Sequence, residues 1–113
     1  MNKKLLIVAH QPSTNTEAMA NACLKGALTA DTNNIEASLI EPLKCQPERL
    51  LSASAVIILT TENIGYMAGA TKDWFDRVYY PALEPNTCLP HAVANRAGHD
   101  STATDTDLDT ICK

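Results

Sequence analysis

The chain has 113 residues, 45% of them apolar and 4% aromatic, and nine Lys and Arg against thirteen Asp and Glu give a formal charge of −4. A chain of this length buries roughly two thirds of the surface its unfolded form exposes, so one core over residues 1–113 is expected and a second domain is excluded. The deficit of positive charge, with no basic run longer than Lys3-Lys4, removes the electrostatic footprint of nucleic-acid or anionic-membrane binding.

Leu5 to Ala9 is an uninterrupted aliphatic run, the pattern of a central strand covered on both faces. The polar turn His10 to Glu17 follows, in which Thr14 and Glu17 have the spacing of a capping box. Ala18, Met19, Ala22, Cys23 and Ala27 then recur at three- and four-residue steps, predicting a helix whose small side chains permit close approach to a sheet. Asp31 to Asn34 breaks that helix. Ile35 to Ile40 alternates apolar and polar residues, as in a strand near an edge. Pro42 to Pro47 reads as a connection, Glu48 to Ser52 as at most a short helix, and Ala55 to Leu59 as a second central strand. A loop with two glycines, Thr60 to Gly69, leads to an amphipathic helix built on Ala70, Trp74 and Val78. Pro81 stops it, and Lys72–Asp76 and Asp73–Arg77 are ion pairs on its outer face. Helical spacing assigns Trp74 and Phe75 to the core. After a turn at Glu84 to Thr87, His91 to Ala97 is a fourth strand. From His99 the chain is rich in Asp, Thr, Ser and Ala, and this polar tail of 99–113 carries three of the four net negative charges.

No stretch approaches the eighteen apolar residues of a membrane span, and the run from Leu5 to Ala9 is too short for a secretory core, so a cytoplasmic protein without membrane partners is expected. Cys23, Cys45, Cys88 and Cys112 are scattered with no Cys-x-x-Cys pair, which fits reduced, buried thiols better than zinc or a redox dithiol. No three-ligand metal constellation is visible.

Strands alternating with helices at this spacing give an open parallel α/β sheet with right-handed crossovers. Ligands in such sheets lie outside the C-terminal ends of the strands, here at residues 10–16, 60–69 and 97–103. The first loop is rich in hydroxyls and opens a helix, whose free N–H groups and dipole suit a phosphate. Thr14 capping the helix, alone or together with phosphate binding by Ser13, Asn15 and Thr16, is compatible with the sequence. Gly-x-x-x-x-Gly-Lys-Ser/Thr and Gly-x-Gly-x-x-Gly are both absent, which excludes the usual ATP and dinucleotide loops. A phospho-receiver domain would need carboxylates where His10-Gln11 and Thr60-Thr61 stand.

The segment Thr61-Glu62-Asn63-Ile64-Gly65-Tyr66-Met67-Ala68-Gly69-Ala70-Thr71-Lys72-Asp73-Trp74-Phe75-Asp76-Arg77 resembles the flavin-ring loop and following helix of the flavodoxin-like NAD(P)H-dependent FMN oxidoreductases. Ser13-Thr14-Asn15-Thr16 is similar to that family's phosphate turn, and Ala97-Gly98-His99-Asp100 to its third flavin-contacting loop. The likeness runs from residue 3 to about 102. The phosphate turn here lacks the glycine usual in flavodoxins, and Thr61 stands where the reductases often have proline. The family sheet has five parallel strands in the order 2-1-3-4-5. Four are visible here, so the resemblance implies a flavodoxin-like open sheet of order 2-1-3-4 with the fifth strand missing, helices on both faces, and a C-terminally incomplete domain.

The same resemblance implies bound FMN, NADPH or NADH as reductant, and a quinone or flavin as small-molecule acceptor. The implied cofactor contacts are Ser13, Asn15, Thr16, Thr61, Glu62, Asn63, Ile64, Gly65, Tyr66, Gly98, His99 and Asp100. A flavodoxin-type electron carrier without nicotinamide turnover, and a member that no longer binds flavin, are the alternatives. An unpaired fourth strand would expose a sheet edge, so a homo-oligomer is expected.

Overall fold

The structure, a computed structural model, describes residues 3–30, 35–63, 66–82 and 91–96. The predicted turns at 31–34 and 84–87, the loop at 97–103 and the polar tail lie outside the described residues.

Four strands form a parallel sheet: β1 (Lys3–Ala9), β2 (Ile35–Ile40), β3 (Ala55–Asn63) and, after a short β4 (Tyr66–Met67), β5 (His91–Arg96). Their spatial order is β2-β1-β3-β5, the expected 2-1-3-4 with the hairpin strand β4 taking the fourth number. Between them lie α1 (Thr14–Ala30), a 3-10 turn (Pro42–Lys44), α2 (Pro47–Leu51) and α3 (Gly69–Ala82). Pro42 and Pro47 each open a helical turn, where their missing N–H is no loss.

Residue parity divides the core, because successive strand side chains point to opposite faces. Ile7, Ala9 and Leu59 pack with Ala20, Met19 and Cys23 of α1 on one face. Leu6, Val8, Val56 and Ile58 pack on the other with Trp74 and Val78 of α3, and Leu50 of α2 belongs to the same cluster. Helices therefore cover both faces. This double coverage explains why β1 and β3 read as unbroken aliphatic runs, and each fully buried Ile or Val contributes roughly 1.5–3 kcal/mol. Ala20 is fully buried, consistent with small side chains bringing α1 close to the sheet.

Three local expectations are corrected. The predicted loop Thr60 to Gly69 begins as strand: β3 continues to Asn63 and turns back into β4, pairing Glu62 with Met67 and Asn63 with Tyr66. The polar residues of this extension read as loop, but Thr60 at its start is fully buried and its hydroxyl finds partners inside the protein. Pro42 to Pro47 is helical in part rather than a plain connection. Pro81 does not stop α3, which ends at Ala82; in the last turn a proline sacrifices only one terminal hydrogen bond.

The two predicted ion pairs form, Lys72 Nζ to Asp76 Oδ1 at 2.6 Å and Arg77 Nε to Asp73 Oδ2 at 2.7 Å. Arg77 also reaches inward: Nη1 donates to the Cys45 carbonyl at 2.7 Å and Nη2 to the Pro42 carbonyl, so one guanidinium ties α3 to the 3-10 turn.

Cys45 is fully buried in the α3-side cluster, and burial pushes its thiol pKa up, against smaller opposing effects of Trp74, Arg49 and Arg77. A thiol harder to ionise when folded adds stability that is intact below its unfolded pKa and lost as pH rises through the folded value. Stability should therefore fall on the alkaline side of pH ~8.5. Iodoacetamide at neutral pH should leave Cys45 unlabelled until denaturant is added; ready native labelling, read by peptide mapping, would contradict this packing.

Candidate functional site

The C-terminal ends of β1 and β3 lie side by side, and the His10 amide donates to the Leu59 carbonyl at 3.0 Å, continuing their alignment past the end of β1. Two chain segments leave this edge next to each other.

The first is the turn into α1. Ser13, not Thr14, is the cap, and Thr14 is the first helical residue. Ser13 Oγ accepts from the Thr16 amide at 3.3 Å while Thr16 Oγ1 accepts from the Ser13 amide at 3.0 Å, a reciprocal box with threonine in the place glutamate usually takes. The Thr16 hydroxyl also lies 2.9 Å from the Ser13 carbonyl and 3.1 Å from Ser13 Oγ. Thr16 is only 2% exposed, so its hydroxyl serves the cap, whereas Ser13 and Asn15 are exposed at the sheet edge. The Glu17 amide makes the first helical bond, to the Ser13 carbonyl at 2.9 Å. The amides of Thr14 and Asn15 are left with no protein partner among the described residues, the ordinary condition of a first helical turn and the one that receives anions. Thr16→Val should cost about 1–2 kcal/mol by breaking the box inside the protein. A lower urea midpoint at unchanged slope would register it, and an unchanged midpoint would contradict the reciprocal cap.

The second segment is the β3–β4 hairpin. The Ala68 amide donates to the Thr61 carbonyl at 3.0 Å and lies 3.3 Å from Thr60 Oγ1. The Ala68 carbonyl accepts from the Thr71 and Lys72 amides at 3.0 and 3.1 Å. Thr60 and Thr71 are fully buried, with their hydroxyls 2.9 Å apart. Tyr66 is half-buried against the α3-side core. Asp76 raises the Lys72 pKa chiefly by its hydrogen bond, with a smaller Coulombic contribution from Tyr66.

Of the sequence-predicted contacts, Ser13, Asn15 and Thr16 thus stand at the α1 turn, and Thr61, Glu62, Asn63 and Tyr66 in the hairpin beside it. Ile64, Gly65, Gly98, His99 and Asp100 lie outside the described residues. The Thr60–Thr71 pair went unread in the sequence, although a signal was present: Thr71 occupies an apolar position of the α3 stripe, three and seven residues before Trp74 and Val78. A cavity of about 320 Å³ flanks the α1 turn on the β2 side, lined by Gln11, Glu17, Leu39, Ile40, Glu41 and Lys44. Among the described residues no group of His, Cys, Asp or Glu could hold a metal, and no helix is long and apolar enough to cross a membrane.

A parallel sheet of order β2-β1-β3-β5, helices on both faces and loops gathered at the C-terminal edge define a flavodoxin-like α/β fold. Solved structures agree. An oxidoreductase from Corynebacterium diphtheriae superposes with a TM-score of 0.72 at 18% identity, over 97% of this chain and 73% of that one. Oxidised flavodoxin 1 from Bacillus cereus does so with a TM-score of 0.57 at 13% identity, over 96% of this chain and 95% of the other. No protein-family model and no curated protein sequence matches the chain.

Proposed function

We propose that this chain is an FMN-binding oxidoreductase that moves electrons from NADH or NADPH to a quinone or flavin acceptor. The observation that carries the reading is the juxtaposition, on one sheet edge, of a helix N-terminus with two unpartnered amides and a hairpin anchored against the neighbouring helix. The residues present fit the cofactor. The Thr14 and Asn15 amides and the exposed Ser13 and Asn15 side chains offer neutral donors for a phosphate dianion, and the α1 dipole adds to them. Thr16 holds Ser13 in place from below. The described hairpin residues Thr61, Glu62, Asn63 and Tyr66 offer backbone groups and one aromatic as a wall for a flat ring. FMN, when bound, supplies the hydride and electron chemistry, while the protein binds, orients and shields it.

The structural likeness to a flavodoxin gives weight to a second reading, an electron carrier that does not use nicotinamide. Anaerobic mixing separates the two. If the chain is a reductase, NADH or NADPH should bleach the bound flavin and a quinone should restore its colour. Flavin that stays bound but is bleached only by a chemical reductant would favour the carrier.

A further inference from the structure

We infer that Thr60 and Thr71 are positioning residues for the flavin-ring wall: their buried hydroxyl pair fixes where the β3–β4 hairpin stands on the sheet edge, an inference that rests on the flavin reading above. Thr60 is the first residue of β3 beyond the aliphatic run, and its side chain points to the α3 face. Thr71 lies in the first turn of α3. Their oxygens are 2.9 Å apart with neither residue exposed to solvent, so each hydroxyl must find its partner within the protein.

The pair closes a bonded unit around Ala68. Thr60 Oγ1 is within 3.3 Å of the Ala68 amide and 3.2 Å of the Thr61 carbonyl, and the Thr71 amide donates to the Ala68 carbonyl at 3.0 Å. Both ends of the hairpin, Thr61 and Ala68, are therefore bonded to Thr60 or Thr71. The two pairings beyond them, Glu62 with Met67 and Asn63 with Tyr66, are too few to hold a hairpin in register by themselves. A hydroxyl pair in an otherwise apolar layer is directional where hydrophobic contact is not, so it selects one hairpin height above the sheet rather than a range. Apolar packing of two methyl groups would fill the same space without that selection.

Thr71→Val is the informative substitution, because it keeps the shape and leaves Thr60 with the Ala68 amide and the Thr61 carbonyl. FMN affinity should fall roughly three- to tenfold. The bound flavin should also lose part of its fluorescence quenching and the fine structure of its visible band, and Thr71→Ser should restore both. In the flavin-free protein, hydrogen exchange at the Ala68 and Asn63 amides should quicken in Thr71→Val while amides of β1 stay protected. Thr60→Val, which also strips the Ala68 amide of an acceptor, should exceed Thr71→Val in each respect. Wild-type affinity and spectrum in Thr71→Val would overturn the inference and leave the flavin reading standing. A wild-type chain that takes up no FMN would overturn both, and hairpin exchange that does not respond would overturn the inference alone.

Discussion

Trp74→Ala is expected to remove about 3–5 kcal/mol of stability, a large share of the roughly 5–15 kcal/mol that holds a domain of this kind together. Trp74 is 1% exposed and heads the fully buried side chains by volume. It packs tilted on Phe75, ring centroids 5.1 Å apart at 59°, and joins α3 to Leu6, Val8, Val56 and Ile58 of the sheet. Truncation would leave a cavity between two layers that cannot close without moving α3. Among the described residues its indole Nε1 has no hydrogen-bond partner. The expected loss is thus packing and transfer energy, and Trp74→Phe should recover more than half of it. Far-ultraviolet circular dichroism in urea is the suitable probe, since the chain has a single tryptophan and its removal silences intrinsic indole emission. A loss below about 1 kcal/mol would mean that α3 is not seated on the sheet as described.

Arg77→Ala should cost about 2–3 kcal/mol. Little of this comes from Asp73, whose side chain is 48% exposed against 30% for Arg77, because solvent-screened helix pairs are worth only a few tenths of a kcal/mol. The larger part comes from the Pro42 and Cys45 carbonyls, which the guanidinium bridges. Pro42 and Cys45 are buried, so alanine would take the guanidinium donor from the Cys45 carbonyl and leave the Pro42 carbonyl with only the Cys45 amide at 3.2 Å. A compact ammonium cannot reproduce the fork, so Arg77→Lys should resemble alanine more than wild type. Asp73→Ala, in contrast, should cost less than about 0.5 kcal/mol. Equal losses for Arg77→Ala and Asp73→Ala would contradict the bridge.

The layered fold was legible in the sequence because β1 and β3 are covered on both faces, and only unbroken aliphatic runs such as Leu5 to Ala9 tolerate that. The helices announced themselves by three- and four-residue spacing, fully for Trp74 and Val78 of α3 but only in part for α1, where Ala18 and Ala22 of the predicted stripe are exposed and Ala20, outside it, is buried. The extension of β3 was hidden because Thr60 to Asn63 is polar and reads as a loop, whereas Thr60 stays buried with its hydroxyl satisfied by Thr71 and the Ala68 amide, contacts that only tertiary structure supplies. The cap was misread by one residue because two overlapping four-residue frames compete. Thr14 to Glu17 has the familiar acidic partner, whereas Ser13 to Thr16 closes with a hydroxyl. The second role of Arg77 was not legible, since its ion pair is local but the carbonyls it bridges lie 32 and 35 residues away. The candidate site was legible as two hydroxyl-rich or glycine-bearing loops after central strands; the Thr60–Thr71 bond beneath one of them depends on tertiary approach.

FMN and riboflavin titrated against the 113-residue chain, with flavin fluorescence as the readout, bear most directly on the proposed site. FMN should saturate at one equivalent, and riboflavin should bind at least about tenfold more weakly because it offers no phosphate to the Thr14 and Asn15 amides. Fluorescence unchanged by the protein, or equal affinity for the two flavins, would contradict an FMN site built on the α1 turn.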